Sequence, residues 1–280
     1  MWLGLLAGDK IACPTRTAPL ILKKLNSPFS EYALLLVSAF LAGAINSMAG
    51  GGSFFTFPAL VFTGVPPVAA NASSTVALVP GSFASAYAYR HDFSALKSFG
   101  FRNWLLVSLA GGLTGAILLI VTPNATFTHI IPWLLLLATL SFAFGNAING
   151  WLRQRVQISA PALLVVLFAV STYGGYFGGG AGMMILAMFS LYGLTDIHAM
   201  NGAKALLGGS MNAMAVAVFV VAHQVYWRQS LVMMVASIAG GLAGATLAKR
   251  IPPEAIRVGV IVVGAAMTVY FFRQSILTMR

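Results

Sequence analysis

Charge is the scarce ingredient of this sequence. Of 280 residues, 16 are Lys or Arg and 5 are Asp or Glu, so 21 residues, 8% of the chain, carry charge. A soluble domain carries roughly 25%. With 59% apolar residues and a mean hydropathy of +0.89, there is too little polar side chain to cover a water-facing surface. The soluble classes are excluded. Cysteine is nearly absent: Cys13 alone excludes an intrachain disulfide and has no thiolate partner for a metal. The four histidines show neither HExxH nor any other ligand spacing, so no metal and no cofactor is expected. The net charge of +11 does not point to nucleic acid, because the basic residues sit at the ends of apolar runs, where they set orientation.

What is abundant is uninterrupted apolar chain. No Asp, Glu, Lys or Arg occurs in 32–89, 103–151, 156–195, 205–227, 229–248 or 258–272. A helix needs about 20 apolar residues to cross the hydrocarbon core, so the longer stretches hold two spans each. Strands of a barrel would alternate apolar and polar residues, and these runs do not. The fold class is an all-α polytopic membrane protein with about eight transmembrane helices. The expected spans are 32–63, 68–89, 104–122, 129–149, 161–192, 197–222, 229–248 and 253–272, separated by turns such as Gly64-Val65-Pro66-Pro67 and Thr122-Pro123-Asn124. The first and fifth are long and interrupted by glycines.

Basic residues follow spans two, four and six, at Arg90, Lys97 and Arg102, then Arg153 and Arg155, then Arg228. The loops 64–67 and 123–128 carry no charge. This pattern places 90–102, 152–158 and both termini in the cytoplasm, with the chain crossing the cell inner membrane many times. Lys249 and Arg250 fall on the wrong side of that scheme. Residues 1–30 read as a cytoplasmic or interfacial arm, 31–150 as a first repeat, 151–160 as a basic linker and 161–280 as a second repeat.

The repeat is visible in the residues. Ala49-Gly50-Gly51-Gly52-Ser53 is followed 129 positions on by Gly178-Gly179-Gly180-Ala181-Gly182, and 110–115 (AGGLTG) by 239–244 (AGGLAG) at the same distance. Asn71 matches Asn201 and Ser82 matches Asn212 at a distance of 130. Two such halves are the architecture of secondary transporters. Four crossings per half would relate the halves by an axis along the membrane normal; a chain that turned back at each glycine break would invert them.

Three adjacent glycines in mid-membrane destabilise a helix by about 1 kcal/mol each. Irregular backbone survives there only where it is buried in protein or lines a cavity. The half-helix after a break presents N–H groups that attract anions. The candidate substrate-binding residues are therefore Gly50, Gly51, Gly52 and Ser53 in one break and Gly178, Gly179, Gly180 and Gly182 in the other. Gly111, Gly112, Gly115, Gly240, Gly241 and Gly244 suit close helix packing. Lys204 lies inside a span, which costs roughly 2.5–3.5 kcal/mol and marks a functional candidate. Asn201 shares its face, Ser210 and Asn212 follow, and Asn71, Ser74 and Thr75 form the matching face of span two. Together they suit an oxyanion that needs one charge and several donors. Asp196 and His198, at the mouth of span six, either cap the helix or couple protons. No serine–histidine pairing suits an enzyme.

The segment Ala49–Leu60 followed by Asn71-Ala-Ser-Ser-Thr75, with Gly174–Gly182 and Asn201-Gly-Ala-Lys204, resembles the two-half signature of the TauE/SafE permeases, the sulfite exporter family, over about residues 32–275. Ala187 stands where the first half has Pro58. The resemblance implies transport of a small sulfur oxyanion, such as sulfite, thiosulfate, a sulfonate or sulfoacetate, across the bacterial inner membrane. It implies the bilayer and that anion as partners, with self-association left open. A cell interior is negative, worth about 2.3 kcal/mol per charge per 100 mV, so an uncoupled anion runs outward and export is the expected direction. Proton-coupled uptake of an organosulfonate is the first alternative, with a membrane enzyme or an assembly protein behind it.

Overall fold

The computed structural model describes residues 28–48, 50–90, 100–153, 155, 158–247 and 252–278. Most of the amino-terminal arm, Ala49, Lys97, Lys249 and Arg250, and part of the 151–160 linker lie outside the described residues. Ten α-helices follow in order: α1 (Pro28–Met48), α2 (Ser53–Phe62), α3 (Pro67–Ala88), α4 (Phe101–Val121), α5 (Asn124–Arg153), α6 (Ala160–Tyr176), α7 (Ala181–Leu191), α8 (Ile197–Val221), α9 (Trp227–Leu247) and α10 (Pro253–Thr278). Six of them, α1, α4, α5, α8, α9 and α10, contain stretches long and apolar enough to span a membrane. The protein is an all-α polytopic membrane protein. The expected eight long segments are all present, and the two broken ones divide as α1 with α2 and α6 with α7.

Local chemistry explains the boundaries. Proline occupies the first turn of α3 and α6, where a missing N–H costs nothing. Glycines with left-handed backbone end α1 and precede α7, Gly51 at φ +95° and Gly180 at φ +80°. The polar helix α3 is also the most enclosed. Its hydroxyls turn inward on their own helix, Thr75 to Asn71 O, Ser82 to Leu78 O and Ser85 to Gly81 O. That satisfies them where no water can.

The directions of the helices follow from close contacts. Gly240 of α9 packs on Phe40 and Ala44 of α1, and Gly244 on Ala44 and Ser47, so α1 and α9 run parallel. Ser73 of α3 receives Tyr226 N–H, Gly81 meets Ser237 and Ser85 meets Gly241, so α3 runs with them. In the same way α4 runs with α6, through Gly111 on Ser171 and Gly115 on Tyr176, and with α8, through Ser108 on Leu207 and Gly112 on Met211. The two groups are opposed. Along α3, Asn71 meets the end of α6 and Ser82 meets the end of α1. Along α8 the order is reversed, with Lys204 at the end of α1 and Met211 beside Gly112, which packs on Gly175 of α6.

Since α1 and α3 run the same way, α2 must bring the chain back. Gly52 lies against Ala42, ten residues earlier, with a Cβ there only 2.7 Å from Ala42 O. Thr56 meets Ser74 at 2.6 Å, consistent with α2 descending beside α3. The glycine break is a reversal, and α6 with α7 repeats it in the opposite sense. This corrects the four-crossing scheme. Helices α1–α5 start at one face and finish at the other, and α6–α10 return, so the two sets are inverted. Each short helix anchors its own apolar cluster, α2 among Phe57, Phe127 and Phe271, and α7 among Trp104, Leu163 and Phe189.

In the four-crossing scheme the loops after α2 and α7 share a face; in the inverted arrangement they do not. With Cys13→Ser as background, Thr63→Cys and Thr195→Cys should react with an impermeant thiol reagent from opposite sides of sealed vesicles. Reaction from one side would restore the four-crossing scheme.

Candidate functional site

The two reversals meet at the centre of the bundle. Gly50 and Gly182 touch backbone to backbone, a Cβ on Gly50 falling 3.0 Å from Gly182 Cα. Gly178 lies against Ser53, where a Cβ would be 3.2 Å from its Oγ. From this point α2 runs toward one face and α7 toward the other, so their N-termini face each other. Neither N-terminus is capped by a side chain. Each carries the partial positive charge of a helix start.

A small, partly open pocket of about 30 Å³ adjoins the start of α7. Ala181 and Gly182 supply one wall, Asn46 of α1 with Ser82 and Ser85 of α3 another, and Lys204, Gly208, Met211 and Asn212 of α8 a third. Lys204 is 3% exposed. Its Nζ donates to Asn201 Oδ1 at 2.9 Å and to Ser47 O at 3.3 Å. Both acceptors are neutral, and among the described residues no carboxylate pairs with Lys204. The described acidic residues are Glu31, Asp196 and Glu254, at helix ends. A buried ammonium without a counter-charge is costly. Around it stand the Ser82 hydroxyl, which accepts from Asn46 Nδ2 at 3.1 Å, and the Asn212 amide.

Of the residues expected from the sequence, Gly178, Gly182, Lys204 and Asn212 line this pocket, with Asn201 holding the lysine and Gly50 backing Gly182. Gly51, Gly52 and Ser53 lie behind the contact, Gly51 against Phe142. Gly179 and Gly180 sit over Phe177 and Ala138. Ser210 is buried without lining the pocket. Asn71, Ser74 and Thr75 form a separate cluster on the far side, where Asn71 Nδ2 donates to Tyr176 O at 2.9 Å and Ser74 pairs with Thr56. Asn46, Ser82 and Ser85 were not anticipated. Asn46 carried a signal, since it is a lone amide in an apolar run four residues before the glycines.

The packing glycines close the helix seams. A Cβ on Gly241 would sit 2.6 Å from Gly81 O, and one on Gly81 2.7 Å from Ser237 O. On the side away from the pocket, Phe57 stacks on Phe271 at 5.6 Å and meets Phe177 and Phe127 edge-on at 5.8 and 6.4 Å. All four rings are buried. Asp196 is the N-cap of α8, accepting from His198 N–H at 2.9 Å and Ala199 N–H at 3.2 Å, while the His198 ring lies 6.3 Å from that of Tyr89.

The family model described as Sulfite exporter TauE/SafE matches residues 35–271. A "Probable membrane transporter protein" of Haemophilus influenzae is 32% identical over 239 residues, 84% of this chain and 92% of that protein. The "Probable membrane transporter protein YfcA" of Escherichia coli K12 is 30% identical over 249 residues, 87% of this chain and 91% of that one. A "Probable membrane transporter protein ORF9" of a Sinorhizobium species is 29% identical over 244 residues. No solved structure matches the chain.

The two roles of Asp196 are separable. Asp196→Ala should cost about 0.5–2 kcal/mol of thermal stability through loss of the cap. Asp196→Asn, which still caps but cannot titrate, should keep both stability and the pH profile of transport. A pH profile altered in the Asn variant would give the carboxylate a proton-coupling role.

Proposed function

The chain belongs to the sulfite exporter TauE/SafE family, and from that premise we propose that it is a secondary carrier of a small sulfur-containing oxyanion, held beside Lys204 and the N-terminus of α7. The single observation that carries this reading is the burial of Lys204, whose Nζ is bonded only to neutral oxygens beside a pocket. An oxyanion there would supply the missing charge and accept from the ammonium, from the Asn212 amide and from the first N–H groups of α7. Gly182 lets Gly50 and the Lys204 stem pack against the start of α7, since a Cβ there would fall 3.1 Å from Gly50 Cα and 3.3 Å from Lys204 Cδ. A lining of one amine with hydroxyls and amides suits binding and release of the anion.

The residues 31–150 and 161–280 are, in this reading, two inverted repeats joined by the 151–160 linker. Their first and fourth helices are exchanged, α1 lying on α9 and α6 on α4. Rocking of one set against the other would move the central site between faces. The pocket lies toward the ends of α3, α5 and α9, and the four phenylalanines seal the opposite side. Charge suggests which face is which. Among the described residues, Arg90, Arg102, Arg153, Arg155 and Arg257 belong to helix ends and connections on the pocket side; Arg228 and Arg273 belong to the other. We assign the pocket side to the cytoplasm of the inner membrane. The reversal thus sets residues 28 and 278 on the outer face, opposite to the termini expected from the sequence. An anion loaded from the cytoplasm runs outward down the membrane potential unless a cation travels with it.

Lys204→Gln should weaken oxyanion binding about 30-fold or more, the loss expected for removing one partner of a buried charge pair. Without anion, the same variant should be as stable as the wild type or more so, because an uncompensated charge is gone. Lys204→Arg should retain binding with altered selectivity among sulfite, thiosulfate and sulfonates. Binding assays on purified protein and flux into vesicles check both. Full affinity in the Gln variant would return Lys204 to a structural role.

A further inference from the structure

The inverted halves place a second polar site where the first has its lysine. In the second half, α8 reaches back to the C-terminal carbonyls of α1, with Lys204 Nζ on Ser47 O and on Asn201 Oδ1. In the first half, α3 reaches to the C-terminal carbonyls of α6, with Asn71 Nδ2 on Tyr176 O. The pairs correspond in sequence: Ser47 with Tyr176 at 129 positions, Asn71 with Asn201 and Ser74 with Lys204 at 130. At the lysine's counterpart the chain has Ser74, so the ammonium is missing while its acceptors remain.

What is left is a set of neutral oxygens. Asn71 is 1% exposed, and its Oδ1 is buried without any hydrogen-bond partner. Ser74, also 1% exposed, and the fully buried Thr56 bring their hydroxyl oxygens to 2.6 Å of each other. The carbonyls at the end of α6 add the negative end of a helix. A buried amide oxygen in this setting calls for a partner. We propose that this cluster, Asn71 with Ser74, Thr56 and the Tyr176 carbonyl, is a binding site for a sodium ion that takes the place Lys204 Nζ fills in the other half. Hydroxyl, amide and carbonyl oxygens suit a hard cation, and half-helix C-termini coordinate coupling ions in inverted-repeat carriers. The absence of any described carboxylate near it fits a single charge rather than a divalent ion. The two halves then hold one fixed cation and one exchangeable one. A sodium ion bound opposite the anion makes a monoanion's passage electroneutral, so that the sodium and anion gradients together, and not the potential, set its direction.

The test uses the purified full-length chain without any sulfur oxyanion, with sodium gluconate as probe against potassium and choline gluconate at roughly 100 mM, which raises the unfolding midpoint if the folded state binds sodium. The wild type should unfold several degrees higher in sodium than in choline or potassium. Asn71→Leu and Ser74→Ala should each abolish that difference. Ser74→Lys, which supplies an ammonium as in the other half, should abolish it while raising the midpoint in choline. Lys204→Gln should keep the sodium shift, so that failure of the oxyanion site and failure of this one read differently. A wild type indifferent to sodium would overturn the proposal, since the orphan oxygen would then be served by water. A sodium shift that survives both Asn71→Leu and Ser74→Ala would overturn it as well.

Discussion

Two backbones touch at the middle of this protein because neither Gly50 nor Gly182 carries a Cβ. The contact holds together two chain reversals, and most of the architecture depends on it. Without a side chain at either position the loops can meet within the bilayer, where irregular backbone persists only when buried in protein. Once they meet, α2 and α7 must leave in opposite directions, and their positive ends must face the centre. The pocket, the lysine and the first residues of α7 are neighbours for that reason.

The same principle extends along the helix seams. Gly240 and Gly244 let α9 lie directly on α1, and Gly111 and Gly115 let α4 lie on α6. Each half therefore completes its bundle with a helix of the other, and neither has an interface that could open cleanly as a separate domain. Such seams have little side-chain interlocking to break. They suit small rigid-body rotations of one set against the other, as alternating access requires. The polar residues are distributed accordingly: hydroxyls that satisfy their own helices on α3, and a single uncompensated cation on α8.

The sequence made the class, the repeat and the broken helices legible, because charge-free runs and glycine clusters are properties of composition and spacing. Lys204 stood out because an ammonium within a span is costly. The direction of α2 did not stand out. A run of 32 residues reads alike whether its last third continues or returns, and only its length hinted otherwise, about 48 Å at 1.5 Å per residue against a core of about 30 Å. Lys249 and Arg250 were the second hint, for their misfit vanishes when each half crosses an odd number of times. Asn46, Ser82 and Ser85 reach the pocket through the crossing of α1, α3 and α8, a tertiary fact with no local signature. Asn71, Ser74 and Thr75 were grouped with Lys204 on the strength of the repeat; inversion is what puts them on the other side of the glycine contact.

The central claim is that one oxyanion binds between Lys204 and the start of α7. Selenite, a heavier analogue with the same charge and shape as sulfite, can be located directly by its anomalous scattering in crystals of the protein. The account predicts a selenium peak in the pocket bounded by Asn46, Ser82, Gly182, Lys204 and Asn212, within hydrogen-bonding reach of Lys204 Nζ. A peak elsewhere in the bundle, or a pocket that stays empty while transport of the same anion is measured, would contradict it.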